Sequence, residues 1–160
     1  MSAQTTYNFS TDKGVAGGIF DLSPNTIDAR RNECEDGILK FGVGVVVGTS
    51  AGNQVKLPEA GATVAKFEGI VVNGFSTELN RKGELAIEKD ATVGVLRKGR
   101  IWARLVDGIT PAYGDALYLV ISGANAGLFT NATGDNAIAI TNAKFIGTKG
   151  TGNVAPVELA

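Results

Sequence analysis

Residues 100–106 read RIWARLV, and the alternation across them decides the fold class. Ile101, Ala103 and Leu105 fall on one side of an extended chain, and Arg100, Trp102 and Arg104 on the other, because successive side chains of a strand point to opposite faces. The first set suits a core. The second places an indole between two guanidinium groups on an outer face. Working outward, similar short apolar segments recur: 93–98, 84–88, 65–72 (AKFEGIVV), 54–57 and 38–47 (ILKFGVGVVV) upstream, and 116–121, 137–140, 143–149 and 154–159 downstream. Turn residues separate them at intervals of about ten residues, the pattern of a sandwich or barrel. No segment carries a 3.6-residue apolar stripe of helical length. Strands without crossover helices point away from a parallel α/β sheet and toward hairpins and Greek-key links. The expected class is mainly β: a compact antiparallel β-barrel or sandwich over residues 37–160, with an extended N-terminal arm over 1–36.

The arm is read from what it lacks. Tyr7, Phe9, Val15, Ile19, Phe20 and Leu22 are isolated among Gly, Ser, Asn and Asp, without a sustained period. Such a segment cannot bury enough apolar surface by itself, so it is expected to drape over its own domain, a sister subunit or a partner. A short helix is expected at most once, with Ser23 as N-cap and Pro24 at its first position.

Composition narrows the function classes. The chain has 160 residues and 44% apolar content, with 22 glycines against 4 prolines. The glycines lie in no fixed period and fall mostly between apolar runs, where a β-fold needs tight turns. Fifteen basic and sixteen acidic residues give a net charge of −1, so no general electrostatic footprint for nucleic acid or anionic membrane exists. The longest apolar stretch, 42–48, is far too short to span a bilayer, and the polar N-terminus has no signal-peptide pattern. Asn8 and Asn131 begin N-x-S/T triplets, chance matches in a chain read without a secretion signal. Cys34 is the sole cysteine, so no intrachain disulfide forms. With no histidine in the chain, Ser–His and Cys–His nucleophile pairs and histidine zinc sites are excluded. No cofactor or metal is expected.

Four features are candidate sites. The run Gly42-x-Gly44-x-x-x-Gly48 approximates a nucleotide loop, but valines fill it and no helix follows, so it reads as a strand with close backbone approach. Glu33, Glu35 and Asp36 beside Arg30 and Arg31 lack the alternating oxygen donors of a calcium loop and read as a solvated hinge. Asp107 and Asp115 flank GITPAYG, a turn. The basic-aromatic cluster of Arg97, Lys98, Arg100 and Arg104 around Trp102 has three readings: a solvated face whose arginines shield a partly buried indole, a grip on an acidic patch of another protein, or a stack for single-stranded bases. The net charge gives the last no support. Arg97, Lys98, Arg100, Trp102 and Arg104, with Ile19 and Phe20 of the arm, are the candidate protein-contact residues; none is a catalytic candidate.

The segments GILKFGVGVVVG (37–48), ATVAKFEGIVVNG (62–74), DATVGVLRKGRIWARL (90–105), GDALYLV (114–120) and AKFIGTKGTGNVAPVEL (143–159) follow one another in a distinctive order. Over roughly residues 15 to 160 this order resembles the structural cement, or capsid decoration, protein family of tailed phages. The resemblance rests on order and spacing. It implies an extended N-terminal segment on a compact β-domain and a non-enzymatic protein on the outer surface of the mature head. There it would stabilise contacts between major capsid subunits after synthesis in the host cytoplasm. The family has no catalytic residues to carry over, and no shell-contact residue transfers position by position. Partners implied are the major capsid protein and further copies of the chain, a homotrimer being the geometry that suits local threefold axes; neither nucleic acid nor membrane is among them. Two other classes stay open on the residues: a carbohydrate or host-surface binding module on the same scaffold, for which one Trp and three Tyr are a thin aromatic supply, and a carboxylate-pair hydrolase, which no spacing supports.

Overall fold

The computed structural model describes residues 14–74, 83, 86–134 and 136–160. Within them nine strands form: β1 (Thr26–Asn32), β2 (Gly44–Val47), β3 (Gln54–Lys56), β4 (Phe67–Val71), β5 (Thr92–Arg104), β6 (Ala116–Val120), β7 (Phe129–Thr130), β8 (Ala137–Phe145) and β9 (Val154–Leu159). Short 3-10 turns at Val64–Lys66 and Gly123–Asn125 are the only helical elements among the described residues. The mainly β expectation is met.

The two segments expected at 93–98 and 100–106 are one strand, and it organises the molecule. The first half of β5 closes a five-stranded barrel in the order β1-β3-β2-β4-β5, with β1 pairing back onto β5. Its second half starts a second sheet, β5-β9-β8-β6-β7. A parallel bridge from Leu105 to Phe129 brings β7 back to the end of β5. Every barrel pair is antiparallel except β1–β3, which is parallel (Arg31↔Gln54, Asn32↔Val55). Between the halves the alternation breaks: Val95 and Leu96 are both buried, then Arg97 and Lys98 are both exposed. The register steps from Ile27↔Leu96 to Thr26↔Lys98, a bulge that bends the strand and re-aims its faces.

Two cores follow from this division. Leu39, Val43, Val45, Val55, Val71, Ile87, Val93 and Val95 fill the barrel. Ile70, Leu96, Ile101, Leu105, Leu117, Leu119, Phe129, Phe145, Val157 and Leu159 join the barrel wall to the second sheet. Burying each such side chain stabilises by about 1.5–3 kcal/mol. The join is tight: a Cβ on Gly44 would sit 2.5 Å from Leu119 Cδ1 and 2.8 Å from Phe129 Cζ, so only glycine lets β2 approach the second sheet this closely.

Other expectations shift. No helix follows Ser23; β1 starts at Thr26 instead, because the backbone there pairs with β5. Residues 26–32 of the expected arm are thus a barrel strand, while 14–25 run along the outside. The strand expected at 38–47 shortens to Gly44–Val47; 38–43 turns over the barrel end and inserts Leu39 and Val43 into its core. Residues 86–88 carry no strand, and 84 and 85 lie outside the described residues. The segment 137–140 and the first residues of 143–149 merge into β8, which ends at Phe145.

One polar side chain is fully buried where β1 ends. Asn32 Nδ2 donates to the Glu88 carbonyl at 2.9 Å and the Cys34 carbonyl at 3.2 Å, and its Oδ1 accepts from the Cys34 N–H at 2.9 Å. Asn32 thereby ties β1 to the segment leading into β5.

Candidate functional site

Residues 14–25 lie against the outer edge of the second half of β5. Gly17 N–H donates to the Trp102 carbonyl (2.8 Å), Trp102 N–H to the Gly18 carbonyl (2.9 Å) and Phe20 N–H to the Arg100 carbonyl (3.0 Å), with an antiparallel bridge between Ile19 and Ile101. The segment is bridged to β5 at this point and covers what would be an open sheet edge. On the other edge of β5, Pro156 faces Trp102. That pairing costs no ladder bond, because the N–H and C=O of Trp102 are both directed to the arm. Gly17 is the tightest point of the seat: its φ is +76°, and a Cβ there would come within 2.7 Å of Asn73 N and 2.8 Å of the Val71 oxygen, so any side chain meets backbone atoms that cannot yield.

Side chains then fasten the strand. The Phe20 and Trp102 rings lie 5.5 Å apart at 59°, within the range of favourable tilted aromatic pairs. Arg100 bridges arm and domain, with Nη1 2.8 Å from Asp21 Oδ2 and Nε 2.6 Å from Glu158 Oε2. The Asp21 carboxylate is lowered to about 2, first by the Ser23 hydroxyl donating to it, then by the Arg100 guanidinium. Arg100 is raised by the same Asp21 contact and by Glu158.

The seven candidate contact residues do not form one basic patch. Ile19, Phe20, Arg100 and Trp102 come together at the arm. Arg97, re-aimed by the bulge, lies 2.8 Å from Glu68 and 3.6 Å from Asp28, where Arg30 also pairs with Asp28 at 2.9 Å. That network balances two positive with two negative charges. Lys98 is exposed without an ion pair among the described residues. Arg104 is engaged elsewhere, its Nε donating to the Phe41 carbonyl at 2.7 Å. Trp102 is half-buried beneath the arm and not free to stack a base.

What stands on the surface is apolar. Val15, Ile19, Phe20, Leu22 and Ile27 are all exposed large hydrophobic side chains within one stretch of chain, and Leu22 reaches 104% relative exposure; elsewhere among the described residues only Ile38, Val64 and Tyr113 share that property. Val15, Leu22 and Ile27 are not among the contact candidates that the sequence offers. Their isolation among polar residues was the available signal, but it does not distinguish a residue facing out from one facing the domain. The acidic residues are engaged internally: Glu33 accepts from Thr49, which lowers its carboxyl, and Glu35 pairs with Lys89 at 2.5 Å. Burial pushes the Cys34 thiol up, the opposite of an activated thiolate. No group of three or more potential metal ligands occurs among the described residues.

A family model described as Structural cement protein (E217 gp24/Pam3 gp6) matches residues 3–160. Among solved structures, a chain of the structure described as "The capsid of Myoviridae Phage XM1" has the same fold, with a TM-score of 0.75 and 22% identity over 99% of this chain and 98% of that one. No curated protein matches.

Proposed function

This chain belongs to the phage structural cement protein family, and from that premise we propose that it binds the outer surface of the mature head and stabilises contacts between major capsid subunits. Its role is that of a capsid cement protein, and its place is in the virion. The family match over residues 3–160 carries this reading. The exposed side chains of Val15, Ile19, Phe20, Leu22 and Ile27 supply the contact area.

The physical logic is linkage. A protein that binds the assembled shell and not its dissociated subunits stabilises the shell by mass action, and many copies let a modest affinity per site suffice. Catalysis has no part in this: the chain contributes contact area, with Trp102, Arg100, Ile19 and Phe20 holding the arm so that its apolar side chains face outward. Closed symmetry favours a homotrimer on local threefold axes. Neither nucleic acid nor membrane enters this reading; Arg97 and Arg100 are paired with carboxylates within the molecule, which leaves no continuous basic patch around Trp102.

Purified protein should co-sediment with expanded heads lacking it and raise their disruption temperature. Heads that neither bind it nor gain stability would overturn the assignment.

A further inference from the structure

At the Arg104 end of β5 lies a groove of about 540 Å³ with no residue of the arm in its lining. Its apolar lining includes Val43, Leu57 and Leu128, with Ile38 exposed at the rim. Lys40 and Arg104 also line it, and neither has a carboxylate partner among the described residues. The acid in the groove, Asp107, accepts from Asn153 Nδ2 at 2.9 Å.

The walls are fixed before anything binds. Arg104 staples one wall twice, its N–H to the Gly42 carbonyl (2.8 Å) and its Nε to the Phe41 carbonyl (2.7 Å). Gly44 N–H holds the facing wall through the Gly127 carbonyl at 2.8 Å. Asn153 anchors the floor to the Leu105 carbonyl at 2.8 Å. With Nε occupied, the guanidinium has its terminal nitrogens to offer. A preformed apolar slot with two unpaired cations matches an extended segment that carries a carboxylate beside an apolar side chain.

We propose that this groove receives an acidic, extended segment of a major capsid subunit, with the carboxylate on Lys40 and Arg104 and the neighbouring apolar side chain against Val43, Leu57 and Leu128. The choice of occupant rests on the cement reading above; the choice of chemistry rests on charge complementarity. It gives the protein a second contact, separate from the arm, and two contacts on one rigid body are what a brace across a seam requires.

The test places the photo-crosslinker p-benzoylphenylalanine at Ile38 and mixes the protein with expanded heads lacking it. A crosslink is expected to a shell-subunit segment containing Asp or Glu. Lys40→Glu should lower its yield at least tenfold, while Lys40→Arg retains it. Lys40 is exposed, so both variants should keep the Trp102 emission of the parent, which checks the fold. Co-sedimentation without an Ile38 crosslink, a crosslink only to a second copy, a crosslinked segment lacking a carboxylate, or a yield indifferent to Lys40→Glu would each overturn the groove assignment and leave the cement reading standing. Failure of the parent protein to co-sediment would overturn the cement reading itself, and the groove assignment with it.

Discussion

The Phe20 ring leans on the Trp102 indole at 5.5 Å and 59°, one residue belonging to the external segment and the other to the strand shared by both sheets. The contact makes the only tryptophan of the chain a reporter of whether that segment is seated. Phe20→Ala removes the cover and an aromatic pair worth about 0.5–1.5 kcal/mol. Trp102 emission should shift to the red with little change in melting temperature, because both cores are untouched. An unshifted spectrum would mean the indole is not covered as described.

Acid should unseat the same segment. Asp21 is lowered from 3.8 to about 2, so the docked state binds fewer protons than the undocked one. The contribution of Asp21 is therefore complete above its ordinary value and lost as pH falls from about 4 toward 2. Trp102 emission should hold steady from neutrality down to about pH 4 and shift below it. In Asp21→Asn the acid-dependent step should shrink or vanish, with the neutral-pH spectrum already displaced. An identical titration in both proteins would show that another carboxylate governs docking.

How much of this was legible depended on whether a segment's burial follows a simple period. In β9 the apolar run Val154–Leu159 coincides with the strand, and Arg100–Arg104 alternates as read, with Ile101 and Ala103 fully buried. β1 was hidden because its sequence, TIDARRN, exposes Ile27 and buries Asn32, the reverse of the usual rule. β7 has two residues, too few for any pattern. At the arm, Ile19 and Phe20 lie against Arg100 and Trp102, a meeting of arm and strand that the sequence, which offers the four only as separate contact candidates, does not show. Arg97 left the group because the bulge turns it to Glu68, and Arg104 because it reaches Phe41. The groove had no sequence signature: Arg104 ends β5, while Lys40, Leu57 and Leu128 lie in connections far apart in sequence that meet only once the strands beside them have paired.

Leu22 separates stability from binding. It stands fully clear of the domain, so Leu22→Asp should change unfolding free energy by no more than about 0.5 kcal/mol. If the arm's apolar side chains meet the shell, the same change buries a carboxylate at the interface. It should then weaken head binding at least about tenfold, or about 1.4 kcal/mol. Melting curves and co-sedimentation read the two effects separately. Undiminished binding would move the contact off Leu22.

Asn32 is where barrel closure can be broken by chemistry and not by volume. Its amide serves three backbone groups, the N–H and C=O of Cys34 and the C=O of Glu88, from a side chain that is itself fully buried. Asn32→Leu strands all three, and a buried unsatisfied group costs about 1–3 kcal/mol; with these groups only part-buried, a loss of about 1–3 kcal/mol in total is expected in denaturant unfolding. Asn32→Asp should behave differently with pH. At neutrality the new carboxylate faces two carbonyl oxygens from a buried position, which raises its folded pKa. The folded state then binds the extra proton more readily than the unfolded chain, so the penalty relative to the parent should lessen as pH falls through that raised value. Once protonated, the group donates to one carbonyl and accepts from the Cys34 N–H, restoring two of the three bonds. A pH-independent penalty for Asn32→Asp would mean that water reaches the site and that Asn32 does not seal the junction between β1 and the segment entering β5.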